Sequence, residues 1–373
     1  MPVPLPRSRA VSLVLAMIVA AVVASTFASA AMATYGGHGS LYTQTNDPNG
    51  NTVQRFDRKA GGSLEPAGSF ATGGLGLAGL GGRQGAVELS GDGRYLYAVN
   101  AGSDSVSVFR TDHRRTRLID TVASRGLAPA SIAEHRGRVY VLNSGGTPSV
   151  SAFRRRHDGS LKTIRGGTRD LAPGAAGAAQ VSVTPHGRSL VVSERVSNRL
   201  ETLPLDFLGR PGAPVVTASS GTVPFGFGIT QQGTIVVSEA GASTVSSYRD
   251  GFRGGLRTIT ASLPVGQGAA CWVAVSPNGR FAYTGNASGS ISGFAIGRTG
   301  SLTALNADGL TAALVPSPRD LDFDSSGRYL DAVSPGNATT GGQVTTYRVS
   351  SGGSLTLVGT APAAAGITGA AAS

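Results

Sequence analysis

A short turn ending in glycine returns six times along this chain. It reads Ser90-Gly91-Asp92-Gly93, Glu134-His135-Arg136-Gly137, Thr184-Pro185-His186-Gly187, Thr230-Gln231-Gln232-Gly233, Ser276-Pro277-Asn278-Gly279 and Asp324-Ser325-Ser326-Gly327. The glycines are therefore 44 to 50 residues apart. Each is followed by an alternating apolar run such as Tyr95–Val99 or Phe281–Thr284, then a polar loop, then a third run such as Val106–Phe109. A more variable fourth run follows, as in Arg117–Val122. A unit of this kind cannot bury both faces alone, so like neighbours must cover it. Four strands per period of about 45 residues specify a β-propeller blade.

Residues 39–72 hold a partial repeat that lacks a first strand. The C-terminal run Ile367-Thr368-Gly369-Ala370-Ala371 resembles such a strand and has no hairpin after it. Ring closure would place it innermost in the first blade and remove the unpaired sheet edges. Later blades begin near 84, 129, 178, 224, 270 and 318, which makes seven. The expectation is an all-β, seven-bladed propeller of four-stranded antiparallel blades over residues 34–373, as one domain with almost no helix.

Residues 1–33 read as a secretory signal. Arg7 and Arg9 precede the apolar stretch Ala10–Ala24, which is short for a membrane span. Small-residue patterns at Ala28-Ser29-Ala30 and Ala31-Met32-Ala33 place cleavage after Ala30 or Ala33. The expected protein is secreted, extracellular or in the periplasm or cell-wall space, with no stable membrane anchor after cleavage. A monomer is expected.

The 55 glycines suit a fold with several tight turns per blade. Net charge is +11, nearly all of it arginine; Lys59 and Lys162 are the two lysines. The arginines are spread over turns and lack an interleaved aromatic platform, which argues against nucleic acid. The single cysteine, Cys271, allows no intrachain disulfide. No histidine–carboxylate cluster has metal spacing, and no cofactor is expected. The glycine-rich stretch 73–84 leads into a strand, not a helix, which excludes a phosphate-loop reading.

Propeller geometry directs ligands to one end of the channel. There the entering loops and the loops after the second strands meet. The entering positions include Arg83-Gln84, Ala179-Gln180, Pro224-Phe225, Cys271-Trp272 and Arg319-Asp320. The second strands end at Asn100, Asn143, Glu194, Glu239 and Asn286, among others. Glu194, Glu239, Arg319 and Asp320 form the candidate catalytic set: a carboxylate to activate water and an arginine for the oxyanion. Gln84, Gln180, Phe225, Cys271, Trp272, Asn100, Asn143 and Asn286 are the candidate substrate contacts. Each has a plainer reading. The asparagines suit loop capping, the glutamates salt bridges to Arg195, Arg199 or Arg319, and the aromatics inter-blade packing. Cys271 suits a small buried apolar group.

The segments Ser276–Tyr283 (SPNGRFAY), Ser90–Tyr97 (SGDGRYLY) and Val106–Phe109 (VSVF) resemble the seven-bladed propeller lactonase family, which includes 6-phosphogluconolactonases and carboxymuconate cyclases. The likeness runs over about 39–373. Val192–Asn198, Thr222–Phe227 and Ala269–Val273 resemble its exported branch. The resemblance implies opening or closing of a lactone ring by channel histidine, arginine and glutamate. This chain has Ala128-Pro129-Ala130-Ser131 where such members often carry histidine. Two functions follow as expectations: a lactonase-like enzyme acting on a small lactone, or a non-catalytic extracellular propeller binding a cell-wall, peptide or protein partner.

Overall fold

Seven antiparallel sheets succeed one another along the chain, and each is a blade. The computed structural model describes residue 1 and residues 39–77, 84–112, 115–251, 254–313 and 317–373. The signal-like segment 1–33, apart from Met1, and residues 78–83 of the glycine-rich stretch lie outside the described residues.

Blade one combines Thr368–Ala372, Ser40–Gln44, Thr52–Arg58 and Leu64–Ala71, from the channel outward. Blade two is Val87–Leu89, Tyr95–Asn100, Ser105–Thr111 and Thr116–Ala123. Blade three begins with Leu127–His135 and blade four with Ala178–Val183. Blades five, six and seven begin with Pro224–Ile229, Ala270–Val275 and Asp320–Phe323. In blade six the outer strand is split, so that Leu302–Ala304 and Ala312–Ala313 both pair with Ser290–Ile296. Helix is confined to 3-10 conformation among the described residues, as in the turn Pro185–Gly187.

The repeated turn has a physical cause. Ser90 Oγ accepts the Tyr95 N–H at 3.0 Å and donates to Asp92, which in turn receives the Arg94 N–H. Gly93 closes the turn at φ 65°, a conformation costly for a residue with a Cβ. Ser276, Asn278 and Phe281 repeat the arrangement in blade six.

Second strands such as Tyr95–Asn100 and Phe281–Asn286 are buried at every residue, because a blade on each side covers both faces. Tyr97, Val99 and Val108 of blade two pack on Ile132, Val141 and Phe153 of blade three. Comparable layers continue round the ring, until Tyr42 and Val53 of blade one meet Val87, Leu96 and Phe109 of blade two.

Closure occurs as the repeat requires. Leu41 pairs with Ala372, Tyr42 with Ala371 and Gln44 with Thr368. A buried ion pair between Arg58 of blade one and Asp331 of blade seven crosses the neighbouring seam.

Candidate functional site

The channel wall is laced by polar side chains that reach between blades. Gln180 of blade four accepts the Phe227 N–H at 2.6 Å and donates to the Phe227 carbonyl at 2.9 Å, joining blade five. Gln84, leading into blade two, makes the same double contact with the Val273 backbone of blade six: the Val273 N–H donates to it at 3.0 Å, and its amide donates back. Asp320 of blade seven accepts the Ala370 N–H of blade one at 3.0 Å and the Gly85 N–H at 3.4 Å. Desolvation holds the Asp320 carboxyl well above its ordinary range. These three expected site residues line one cavity of about 100 Å³, together with Glu88 and Asp322. Their polar atoms are engaged in bracing the inner strands.

The ends of the second strands face inter-blade loops instead of the cavity. Asn100, Asn143 and Asn286 are fully buried, and each donates to a serine of the neighbouring third strand: Ser107 at 2.8 Å, Ser151 at 3.2 Å and Ser292 at 2.9 Å. Glu194 and Glu239 hold the equivalent register in blades four and five and are also fully buried. Glu194 accepts from Arg199 at 3.0 Å, from the Ala176 N–H at 3.2 Å and from Ser197. Glu239 accepts the Gly221 N–H and the Ser246 hydroxyl at 2.7 Å, with Ser219 at 3.2 Å and Thr244 completing the set. Neither glutamate lines the cavity that contains Asp320. The cavity that holds Asp320 therefore does not bring the expected four-residue catalytic set together.

A different group converges where blades four to seven adjoin. Phe225 and Trp272 stack edge to face with ring centroids 5.7 Å apart. Cys271 completes their cluster. The Arg195 guanidinium lies 5.0 Å from the Phe225 ring and that of Arg319 lies 5.6 Å from the Trp272 ring. Four successive blades thus supply Arg195, Phe225, Cys271–Trp272 and Arg319. Among the described residues neither arginine has a carboxylate partner. Arg195 Nε and Trp272 Nε1 are buried without hydrogen-bond acceptors. Burial lowers the Arg195 pKa, with Cys271 acting in the opposite sense. Burial pushes the Cys271 thiol up to about 11 despite both arginines, so it is a neutral thiol at pH 7.

The sequence offers Arg195 as a salt-bridge partner for the glutamates, Glu194 and Glu239, and among the described residues the structure pairs it with neither. Cross-strand register explains this for Glu194, which pairs with Arg199 and leaves Arg195 at the turn. That offset was the available signal. Glu88 and Asp322 were also missed. Asp322 lies two residues after Asp320 on an inner strand, and period-two alternation returns it to the channel. Arg83 lies outside the described residues. Among the described residues no group of three or more histidine, cysteine or acidic side chains is arranged to hold a metal ion.

A family model, Lactonase, 7-bladed beta-propeller, matches residues 49–169. No match was found among curated protein sequences. Among solved structures, a protein from Lactobacillus plantarum superposes with a TM-score of 0.70 at 17% identity, covering 90% of this chain and 99% of that one. The periplasmic gluconolactonase of Pseudomonas aeruginosa gives 0.69 at 16% identity, covering 89% and 98%. A candidate 6-phosphogluconolactonase from Bacteroides uniformis gives 0.68 at 18%, covering 86% and 94%. The chain is a seven-bladed propeller similar to the lactonase family, with the sequence likeness carried by residues 49–169.

Proposed function

We propose that this chain is an exported lactonase-like protein whose channel mouth binds a small lactone and the hydroxy-acid anion it opens to. The observation that carries this reading is the pair of guanidiniums without carboxylate partners, Arg195 and Arg319, set against the Phe225–Trp272 wall. A lactone has an apolar ring face for such a wall and an ester carbonyl for such donors. Arg195 and Arg319 would hold the carbonyl oxygen as water adds to its carbon. Negative charge would grow on that oxygen between two fixed cations, where it is most stabilised. The attacking water gives up both its protons to solvent, collapse breaks the ring C–O bond, the leaving oxygen takes one proton back, and a carboxylate remains beside the arginines. Glu194 and Glu239 keep their loop contacts in this scheme, and Asp320 keeps its brace. The N-terminal segment and the likeness to a periplasmic gluconolactonase support export.

One observation favours a second reading, binding without turnover. The Cys271 thiol is neutral at pH 7, and both candidate bases are spent on loop donors. One experiment separates the two. Sugar lactones of five- and six-membered rings are assayed for hydrolysis, and the matching hydroxy acids for binding by calorimetry. The enzyme reading expects turnover that falls about 10²-fold or more in Arg319→Met and Arg195→Met. Binding of hydroxy acid with no turnover supports the second reading. Neither turnover nor binding defeats both.

A further inference from the structure

Blade four carries an apolar tip that faces solvent. Its third strand, Arg199–Pro204, is followed by the turn Asp206-Phe207-Leu208-Gly209-Arg210. Phe207 is 81% exposed and Leu208 47%. The turn is rigidly held. The Asp206 carboxylate receives the Leu208 N–H at 3.0 Å and the Arg210 N–H at 2.8 Å, and Arg210 Nε donates to it at 2.6 Å. Phe207 is thus presented to water by a well-bonded loop.

The base of the turn is ringed by arginines. Arg138 of blade three donates to the Phe207 carbonyl at 2.6 Å. Arg169 donates to the Pro211 carbonyl at 3.3 Å. The carbonyl of Arg188, whose side chain is exposed, accepts the Leu205 N–H at 2.8 Å. Among the described residues, Arg210 alone of these arginines is paired with a carboxylate, Asp206. The sequence of blades three and four is basic: residues 125–220 hold thirteen arginines and lysines against six carboxylates.

We propose that this tip is a peripheral docking site for an anionic lipid surface. Phe207 and Leu208 would enter the boundary between headgroups and acyl chains, and the surrounding arginines would meet lipid phosphates. Charge complementarity calls for an anionic partner, and the exposed phenylalanine calls for one with an apolar interior. A soluble polyanion satisfies the first requirement alone. Membrane attachment through one apolar tip and a basic ring is reversible, since stable anchoring takes stronger signals.

The test uses residues 38–373, the compact unit that closes its own ring, so that the apolar stretch Ala10–Ala24 cannot itself partition. Co-sedimentation is measured with vesicles of pure phosphatidylcholine and with vesicles containing about one third phosphatidylglycerol. The expected result is binding to the anionic vesicles only, weakened about 10-fold or more in Phe207→Ser/Leu208→Ser and lowered by salt. A second variant, Arg188→Gln, should weaken binding while every side-chain contact that holds the apolar tip is kept. Absence of binding to the anionic vesicles overturns the proposal. So does binding unchanged by Phe207→Ser/Leu208→Ser and abolished by soluble heparin, because that result identifies a polyanion site.

Discussion

Gln84 holds the backbone of Val273 across the channel, from the start of blade two to the inner strand of blade six. Those blades are three steps apart round the ring, so this contact spans the channel where most braces join neighbours. It also explains a glycine. A Cβ on Gly226 would lie 2.1 Å from Gln84 Oε1 and 2.7 Å from the Cys271 carbonyl. Gly226→Ala should therefore destabilise the ring by roughly 1–3 kcal/mol, the usual range for overpacking. Gln84→Ala should cost about 1–3 kcal/mol by leaving the Val273 backbone groups without partners. Because the two residues touch, the double variant should lose less than the sum of the singles. Thermal unfolding of all four proteins measures this, and strict additivity would argue against the contact.

The pair Arg58–Asp331 crosses the seam between the first and last blades and is buried on both sides. Thr346 also donates to Asp331, at 2.7 Å. Arg58→Met should cost roughly 3–5 kcal/mol, because it strands a buried carboxylate. Adding Asp331→Leu should recover much of that loss. Denaturant midpoints of the single and double variants test the point. If the double variant is no better than Arg58→Met, an uncompensated charge is not the cause.

The architecture was legible in the sequence because it is repeated. Ser90, Asp92 and Gly93 specify one turn, and the same contacts recur at Ser276, Asn278 and Gly279. The closing strand was legible because Ile367–Ala371 lacked a hairpin. The cluster of Phe225, Cys271, Trp272 and Arg319 was legible in part, because register sets these residues at equivalent positions in successive blades. Glu194 was legible as a salt-bridge partner, with Arg195, Arg199 and Arg319 as the choices; Asp320 was not legible as a brace, because its partners come from other blades. No spacing rule could show that Arg199, not Arg195, would face Glu194 before the hairpin length was known. A side chain in the channel can face a ligand or a neighbouring backbone, and alternation alone does not distinguish the two.

Glu239 is held by the Gly221 N–H and by several hydroxyls. Glu239→Gln removes one acceptor oxygen and presents an amide in its place. The hydroxyls can turn to suit it, but the Gly221 N–H cannot. The expected effect is a stability loss of about 1–3 kcal/mol, with lactone turnover per folded molecule unchanged. Both are measurable on one preparation, by thermal melt and by progress curves. A hundredfold loss of turnover with an unaltered melt would return Glu239 to the reaction.

Asp322 lies in the channel with its carboxylate accepting the Ala372 and Phe323 N–H groups, both at 2.8 Å. Burial nevertheless raises its pKa to about 7, against an ordinary value of about 4. Asp320 and Glu88 are raised by the same cause, with the charge of Asp322 adding to both and those of Glu134 and Asp320 adding to Glu88. The folded chain thus binds more protons than the unfolded chain between about pH 4 and pH 7. The contribution of Asp322 to stability is fully present below about pH 4 and is lost as pH rises through about 7. Melting temperature should fall across that window, against the usual trend for paired carboxylates. Asp322→Asn removes one titrating group and should flatten the slope. A melting series from pH 4 to pH 8 on both proteins decides it. Equal slopes would mean that Asp322 is ionised in the folded state well below pH 7.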